Sequence, residues 1–397
     1  MKNITEMRRL ANRRVFVTLF FSTFACITGV GIVVPLLPVY ASSLGASGLY
    51  IGLIYGSFSL SRSFLLLYFG RRSDKIGRKP FIVAGLLGYA LVSLAFIYFK
   101  SINELIVVRF LQGIASAMIM PVAQAYIGDV TPEGGEGLNM GMFNMSVFIG
   151  LSVGPILGGF IEDSLGLDAA FWCMGGLALI AFSMSLTMLP PVASEMGNGE
   201  GRAPASWKHL LSSRLIRGLF VFRFSYTTCI GIIWSFLPVY AHDAFSISSS
   251  RIGILVVLGV FISGMLQMPM GALADRWNKA VMILTGGLIV ACAIAALKWA
   301  EGFSGIFLAQ FLFGIGGGIC SPAHMALAVV SGNRTGSMGS VMALMTLAHS
   351  LGMMSGALLA GVIMDLSVVN NAFLLGAVVI AAGSVFCGVS IVKEEKE

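Results

Sequence analysis

Twelve long apolar runs, separated by short polar segments, constrain the fold of this chain more than any other feature. A helix of about 20 apolar residues crosses the hydrocarbon of a bilayer, and each run is about that long. Because the bilayer offers no water to backbone N–H and C=O groups, the runs must be helical. The predicted helices cover residues 14–41, 49–70, 80–99, 103–125, 137–162, 169–190, 214–241, 251–272, 278–299, 303–329, 335–362 and 371–392. The sequence therefore predicts an all-α membrane protein with twelve transmembrane helices.

The composition excludes a water-soluble fold. Hydrophobic residues make up 57% of the chain and charged residues only 11%, with a mean hydropathy of +0.91. Soluble domains carry about 25% charged residues. The six cysteines are scattered singly through apolar runs, without the close spacing of zinc sites or redox pairs, so we predict no metal site and no cofactor.

The basic residues are concentrated on one side of the predicted helices. The chain carries a formal charge of +7, and 19 of its 25 lysines and arginines lie on the side of the termini, against three on the opposite side. Such an excess is typical of cytoplasmic loops, so we expect both termini in the cytoplasm. The same distribution explains the net charge without a nucleic-acid partner. The other three cations lie inside predicted helices: Arg62, Arg109 and Arg223.

The two halves of the sequence resemble each other. LPVYA occurs at residues 37–41 and again at 237–241, an offset of 200. The offset is 201 or 202 for the following pairs: Ile51/Ile252, Gly70/Gly271, Asp74/Asp275, Gly113/Gly314, Pro121/Pro322, Gly150/Gly352, Gly154/Gly356, Gly159/Gly361 and Asp163/Asp365. Repeated halves are typical of secondary transporters.

The polar stretch in the middle of the chain, rich in Pro, Gly and Ser, is predicted to link the halves. We therefore predict a six-helix bundle at 1–190, a cytoplasmic linker at 191–213 and a second six-helix bundle at 214–397.

Three motifs carry a resemblance to a known family. GRRSDKIGRKP at residues 70–80 resembles the signature cytoplasmic loop of the major facilitator superfamily, and GALADR at 271–276 repeats its beginning. LIVVRFLQG at 105–113 is similar to the family's motif in the fourth helix. GLSVGPILGG at 150–159 is similar to the fifth-helix motif of its antiporters, above all its drug–proton exchangers.

The resemblance implies roles for specific residues. It implies that Asp74 and Arg78, together with Asp129 at the end of the fourth helix, form a cytoplasmic charge network that opens and closes during alternating access. It also implies that Arg109 lies at a position linked to proton transfer. The full set implied for the charge network is Gly70, Asp74, Lys75, Gly77, Arg78, Lys79 and Asp129. The set implied for the fourth- and fifth-helix motifs is Arg109, Gln112, Gly113, Gly150, Gly154, Pro155, Gly158 and Gly159.

Polar residues inside the predicted helices are candidates for the substrate cavity or for proton coupling. No Asp or Glu lies in the middle of any predicted helix, whereas Arg62 lies near the middle of the second. One hypothesis is an electropositive cavity that favours neutral or anionic substrates; the alternative is that the arginines bond to helix carbonyls and structural water. His324 and His349 are the only histidines inside the predicted helices and could titrate, or could instead pack helices together. The complete candidate set is Arg62, Arg223, Trp234, His324, His349, Tyr40 and Tyr240.

The functional prediction is a secondary active transporter that exports amphipathic or drug-like small molecules in exchange for protons. The alternative is a carrier of one defined metabolite, such as a sugar, an organic anion or a lipid-like molecule. An enzyme or ATP-driven pump is not predicted, because the chain contains no G-x-x-x-x-G-K-[ST] or H-E-x-x-H motif. A receptor without transport activity is a further alternative. We expect a monomer in the bacterial inner membrane.

Overall fold

A computed structural model describes residues 2–130, 136–190, 207–335 and 338–394. Within these residues the regular elements are helices. The first six are α1 (Lys2–Ser43), α2 (Gly48–Ile76), α3 (Arg78–Tyr98), α4 (Ile102–Val130), α5 (Glu136–Leu165) and α6 (Leu167–Met188). They are followed by the short α7 (Trp207–Ser212), then α8 (Arg214–Phe245), α9 (Ser249–Arg276), α10 (Lys279–Ala296), a 3₁₀ turn (Leu297–Trp299), α11 (Gly302–Thr335), α12 (Met338–Leu366) and α13 (Asn370–Glu394).

Twelve of the described helices, all except α7, are long and apolar enough to cross a membrane. The shortest of these spans has 21 residues, which corresponds to about 31 Å of helix and matches the hydrocarbon thickness. Large apolar side chains point outward, such as Phe160, Met268 and Val378, with 65%, 86% and 66% of their surface exposed. Lipid can cover such surfaces, whereas water would not favour them. The predicted fold of twelve transmembrane helices is confirmed.

The observed helices are longer than predicted at several ends. α1 begins at Lys2, although its apolar span begins only at Arg14. The polar residues before Arg14 continue the helix because Lys, Arg and Glu are good helix formers. Hydropathy marks where a helix enters lipid rather than where it starts.

Short connections join the helices, and their residue types explain the turns. Asn278 accepts hydrogen bonds from the N–H groups of Ala280 and Val281 and so caps α10. Ser213 caps α8 by accepting a bond from the N–H of Ile216. Since twelve spans would bring both chain termini to one side of the bilayer, we call that side of the described helices the terminal side.

The first compact unit comprises Met1–Leu36 and Leu60–Gly199. In this unit α3 packs against both α4 and α6. Its core is apolar and includes the fully buried side chains of Tyr89, Tyr126 and Phe143.

The second compact unit comprises Leu37–Ser59 and Glu200–Glu397. In this unit α8 packs against α12 and α13, and α11 packs against α9 and α10. Residues Leu37–Ser59 belong to it because the start of α2 touches α12: a methyl group at Gly52 would lie 2.5 Å from the carbonyl oxygen of Ala357. The two compact units are defined by which residues contact each other in this structure, not by the boundaries of the sequence repeat. The predicted bundles at 1–190 and 214–397 and the linker at 191–213 therefore stay a prediction. Residues 191–206 of that linker lie outside the described ranges.

Candidate functional site

The connection between α2 and α3 forms an ion-pair cluster at the terminal side of the first unit. Gly77 separates the two helices with a φ of 104°, a conformation that glycine adopts without strain. The buried Arg78 donates from Nε to Oδ2 of Asp129 at 3.0 Å. Its Nη1 also donates to Oγ of Ser73 at 2.8 Å. These bonds tie together the ends of α2, α3 and α4.

The other residues implied for the charge network are less closely packed or are not described. Lys75 is exposed and Lys79 is partly buried. A methyl group at Gly70 would meet no atom within 4 Å. The side chain of Asp74 lies outside the described part of the structure. The structure thus brings Arg78 and Asp129 together, while the role of the network as a gate stays a prediction.

The fourth-helix motif places two buried polar side chains one helical turn apart. Nη1 of Arg109 donates to Oε1 of Gln112 at 2.7 Å. Nε2 of Gln112 is buried without a hydrogen-bond partner. Gly113, the last residue of the motif, is also buried. The motif therefore holds a charged guanidinium and an unsatisfied amide inside the first unit.

The fifth-helix motif packs α5 against α1 at backbone distance, and we call this contact the α1–α5 seam. A methyl group at Gly154 would lie 2.5 Å from the carbonyl oxygen of Thr28 and 2.7 Å from the Cα of Gly31. A methyl group at Gly158 would lie 2.9 Å from the Cα of Ile32. Only glycine allows such an approach. Three further motif residues, Gly150, Pro155 and Gly159, are also buried.

A polar cluster lies inside the first unit, and we call it the Arg62 cluster: Cys26 on α1, Arg62 on α2, Tyr89 on α3 and Ser116 on α4. Arg62 is fourteen positions from each end of α2 and is close enough to Tyr89 and Cys26 to interact electrostatically with both. Tyr89 lies beside Ser116 and also feels the charge of Arg109. Nε of Arg62 and the hydroxyl of Tyr89 are buried without hydrogen-bond partners.

The second unit has a corresponding cluster with different chemistry. The repeat offsets place Tyr226 at the position of Cys26 and Ser263 at the position of Arg62. The ring of Tyr226 stacks with Phe222, and its hydroxyl interacts with the side chains of Ser263 and Ser321. The charge of Arg223 on α8 acts on the same hydroxyl, so this cluster has, among the described residues, a single cation that comes from a different helix than Ser263.

Two candidate residues in the second unit form a pair. Nη2 of Arg223 on α8 lies 3.3 Å from Nδ1 of His349 on α12. Since arginine can only donate, Nδ1 of His349 must accept, which requires the neutral imidazole with its proton on Nε2. The sequence named both residues but did not indicate that they meet.

His324 is placed differently from His349. It is 1% exposed, and its Nε2 donates to the carbonyl oxygen of Leu219 at 3.1 Å. Its ring packs against Phe222, and its Nδ1 is buried without a hydrogen-bond partner. These contacts join α11 to α8.

The aromatic candidates have varied surroundings. The hydroxyl of Tyr240 donates to the carbonyl oxygen of Ala300 at 3.2 Å, and its ring packs edge-on against Phe373. Tyr240 therefore joins helix ends in the second unit. Tyr40 and Trp234 are both partly buried.

Sequence reasoning missed a contact at the side opposite the termini. The N–H groups of Gly48 and Leu49, at the start of α2, donate to Oδ1 and Oδ2 of Asp365 at 2.6 and 2.8 Å. A carboxylate is favourable there because a helix N-terminus carries free N–H groups and a partial positive charge. In the sequence, Asp365 stands out only as the partner of Asp163 in the repeat. The presence of an aspartate near the end of the corresponding helix in both halves, Asp163 and Asp365, was the signal that could have indicated this contact.

Comparisons with known proteins agree with this fold. A family model described as Major Facilitator Superfamily matches residues 19–244 and 219–397. An uncharacterised MFS-type transporter of Methanocaldococcus jannaschii is 30% identical over 370 residues, which cover 92% of this chain and 95% of that protein. The quinolone resistance protein NorA of Staphylococcus aureus is 25% identical, with 97% of each chain covered.

Two solved structures show the same fold. The nucleoside transporter NupG has a TM-score of 0.80 at 12% identity, covering 95% of this chain and 99% of that one. The human organic anion transporter MFSD10 has a TM-score of 0.67 at 20% identity, with the same coverage. Given the twelve spans and the match of the family model to both halves, this chain belongs to the major facilitator superfamily and is a membrane transporter rather than an enzyme.

Proposed function

We propose that this chain exports amphipathic, drug-like small molecules from the cytoplasm in exchange for protons. The observation that carries the proposal is the α1–α5 seam, where Gly154 and Gly31 meet at backbone distance within a motif that resembles the one typical of antiporters. The similarity to a quinolone resistance protein over 97% of both chains supports it. Both termini then lie in the cytoplasm of a bacterium, with the chain in its inner membrane as a monomer.

Alternating access supplies the mechanism. In this proposal the halves at 1–190 and 214–397 rock against each other, as repeated bundles of secondary transporters do. The Arg78–Asp129 pair holds the terminal side of the first half together, and breaking and remaking the charge network accompanies the cycle.

Proton coupling needs a group that changes charge, and no carboxylate lies in the middle of a span. His349 is our candidate, because imidazole titrates near neutral pH. In the structure His349 accepts a bond from Arg223, so a proton added at Nδ1 would break that bond and place two positive charges side by side. Proton binding would thereby separate the two side chains on α8 and α12. Arg223 also interacts electrostatically with Tyr226 on α8 and with His324 and Cys320 on α11.

Replacing His349 should uncouple transport from the pH gradient. We expect His349→Gln to reduce transport driven by an imposed pH gradient at least about tenfold, because Gln can still accept from Arg223 but cannot take up a proton. Counterflow exchange, which needs no gradient, should stay close to that of the unchanged protein. Proteoliposomes report both rates. The control is His242→Gln, an exposed histidine paired with Asp243, which should behave like the unchanged protein. Undiminished gradient-driven transport by His349→Gln would reject the coupling role.

The test of the proposed function is breadth of transport. Purified protein in liposomes, with a pH gradient imposed in either direction, should move chemically unrelated amphiphiles such as a fluoroquinolone, ethidium and a neutral dye. Transport of one metabolite alone would favour the carrier alternative. Transport that ignores the pH gradient for every compound would overturn proton exchange.

A further inference from the structure

Arg62 lies where a permanent charge is most costly. It is at the midpoint of α2, and the nearer end of the membrane span in this helix, Ser73, is eleven positions or about 16 Å of helix away. That distance is too long for the side chain to reach either membrane surface. An arginine cannot lose its proton in a protein, so the charge must be met by an anion, by carbonyls or by water.

The described side chains that interact with Arg62 do not supply a negative charge. Its electrostatic neighbours are the phenol of Tyr89 and the thiol of Cys26, both of which are neutral at neutral pH when unperturbed. The acidic residues on α4 to α6 of the first unit are all close to a helix end in sequence: Glu104, Asp129, Glu136, Glu162, Asp163 and Asp168. Asp74 is twelve positions further along α2, about 18 Å away along the helix axis. Among the side chains that the structure describes in the middle of this unit, none therefore balances the charge of Arg62.

The cluster has unused hydrogen-bond donors. Nε of Arg62 and the hydroxyl of Tyr89 are both buried without partners. The charge of Arg109 also acts on the Tyr89 hydroxyl, so two guanidinium groups flank it. Buried donors normally find acceptors, and an unmade bond is costly. An acceptor with negative charge would satisfy both the donors and the charge.

The repeat shows that the fold does not require a cation at this position. Its counterpart in the second half is Ser263, which lies beside the hydroxyl of Tyr226, where the nearby charge comes from Arg223 on α8 instead. Among the described residues, two guanidinium groups thus act on Tyr89, whereas one acts on Tyr226. The difference indicates a role for Arg62 beyond helix packing.

We propose that the Arg62 cluster binds the anionic group of the transported molecule, so that the substrates include amphiphiles with a carboxylate or sulfonate. Arg62 makes charge-assisted hydrogen bonds to this group, the Tyr89 hydroxyl donates a further bond, and Arg109 adds attraction. This inference rests on the proposed function in that it names a class of its substrates.

Equilibrium binding tests the proposal without any transport step. The probes are pyrenebutyrate, pyrenebutanol and pyrenebutylamine, which share one ring and one chain length but carry a negative, no or a positive charge. The full-length protein is placed in nanodiscs of zwitterionic lipid, with empty nanodiscs as the background. The unchanged protein should bind pyrenebutyrate at least about tenfold more tightly than pyrenebutanol, as expected for a charge-assisted bond.

Variants of the cluster should affect only the anion. Arg62→Gln should weaken pyrenebutyrate binding by about 10- to 100-fold and leave pyrenebutanol binding unchanged. Arg62→Lys should keep part of the preference, and Tyr89→Phe should lower it a few-fold. The matched control is Arg217→Gln, which removes an exposed cation at the start of α8 and should change nothing. If Arg62→Gln fails to fold, Arg62→Lys and Tyr89→Phe carry the same test.

Several results would overturn the anion site. The unchanged protein could show no saturable binding of pyrenebutyrate, or could bind the three probes with equal affinity. Alternatively, the Arg62→Gln variant could keep the preference for pyrenebutyrate, or could lose affinity for all three probes to the same extent. The proposed export activity fails separately. Anion-selective binding without pH-driven transport of any compound would reject export alone, whereas pH-driven transport with equal probe affinities would reject the anion site alone.

Discussion

Gly154→Leu should abolish transport and lower the thermal unfolding temperature by about 5 °C or more. The Cβ of any larger residue would lie 2.5 Å from the carbonyl oxygen of Thr28 and 2.7 Å from the Cα of Gly31, and both of these atoms belong to the backbone of α1. A flexible side chain could move aside, but a helix backbone cannot yield without shifting α1 as a whole. We therefore expect α5 to separate from α1. Thermal unfolding in nanodiscs and transport in liposomes measure the two effects.

Gly176→Leu is the matched control for that experiment. Gly176 also lies within a membrane helix, α6, but a Cβ there would meet no atom within 4 Å. The same change of residue should therefore be tolerated, with transport and unfolding temperature close to those of the unchanged protein. If both leucine variants behave alike, the α1–α5 seam does not have the role assigned to it.

Asp365→Asn should weaken the contact between α2 and α12 at the side opposite the termini. The carboxylate accepts from the N–H groups of both Gly48 and Leu49. An asparagine offers one oxygen, and its NH₂ group would face the second N–H without bonding to it. We expect a loss of about 1.5 kcal/mol, the low end for a charged hydrogen bond because the contact is partly exposed. The unfolding temperature should fall by about 3 °C.

A surface ion pair provides the control for Asp365. Asp168 accepts from Lys100 at 3.1 Å, and both side chains are more than half exposed. Such pairs contribute little, so Asp168→Asn should change the unfolding temperature by less than about 1 °C. If Asp365→Asn is as stable as Asp168→Asn, the bonds from the start of α2 to the Asp365 carboxylate do not stabilise the fold as we expect.

Much of the fold could be predicted from the sequence, because lipid imposes a simple rule. Apolar runs of sufficient length must become helices, as the structure confirms, whereas the division into two similar sets by the repeat of LPVYA and of paired glycines stays a prediction. Hydropathy could not locate the polar ends, so α1 extends twelve residues before its predicted start.

The candidate site was harder to predict, because its contacts join distant parts of the chain. The resemblance to a family implied that Arg78 and Asp129 share a network, and the structure places them 3.0 Å apart. Nothing in the spacing of residues indicated the meeting of Arg223 with His349, 126 positions away. The same holds for Asp365 and the start of α2, which are more than 300 positions apart. Such contacts depend on how helices pack, which periodicity alone does not encode.

The central claim is that the two sequence halves must part on the side opposite the termini for transport to proceed. There, Oγ of Ser42 at the end of α1 donates to Oδ2 of Asp243 at the end of α8 at 3.4 Å. The direct measurement is transport by a Ser42→Cys/Asp243→Cys protein, free of its native cysteines, after cross-linking with a short thiol reagent. The control is a Lys100→Cys/Asp168→Cys pair, which lies within the first half on the same side. We predict that cross-linking Ser42→Cys to Asp243→Cys stops transport, that a reductant restores it, and that the control cross-link has no effect. Transport at the full rate by the Ser42→Cys/Asp243→Cys protein while the two cysteines are cross-linked would contradict the claim that the two halves must separate on this side.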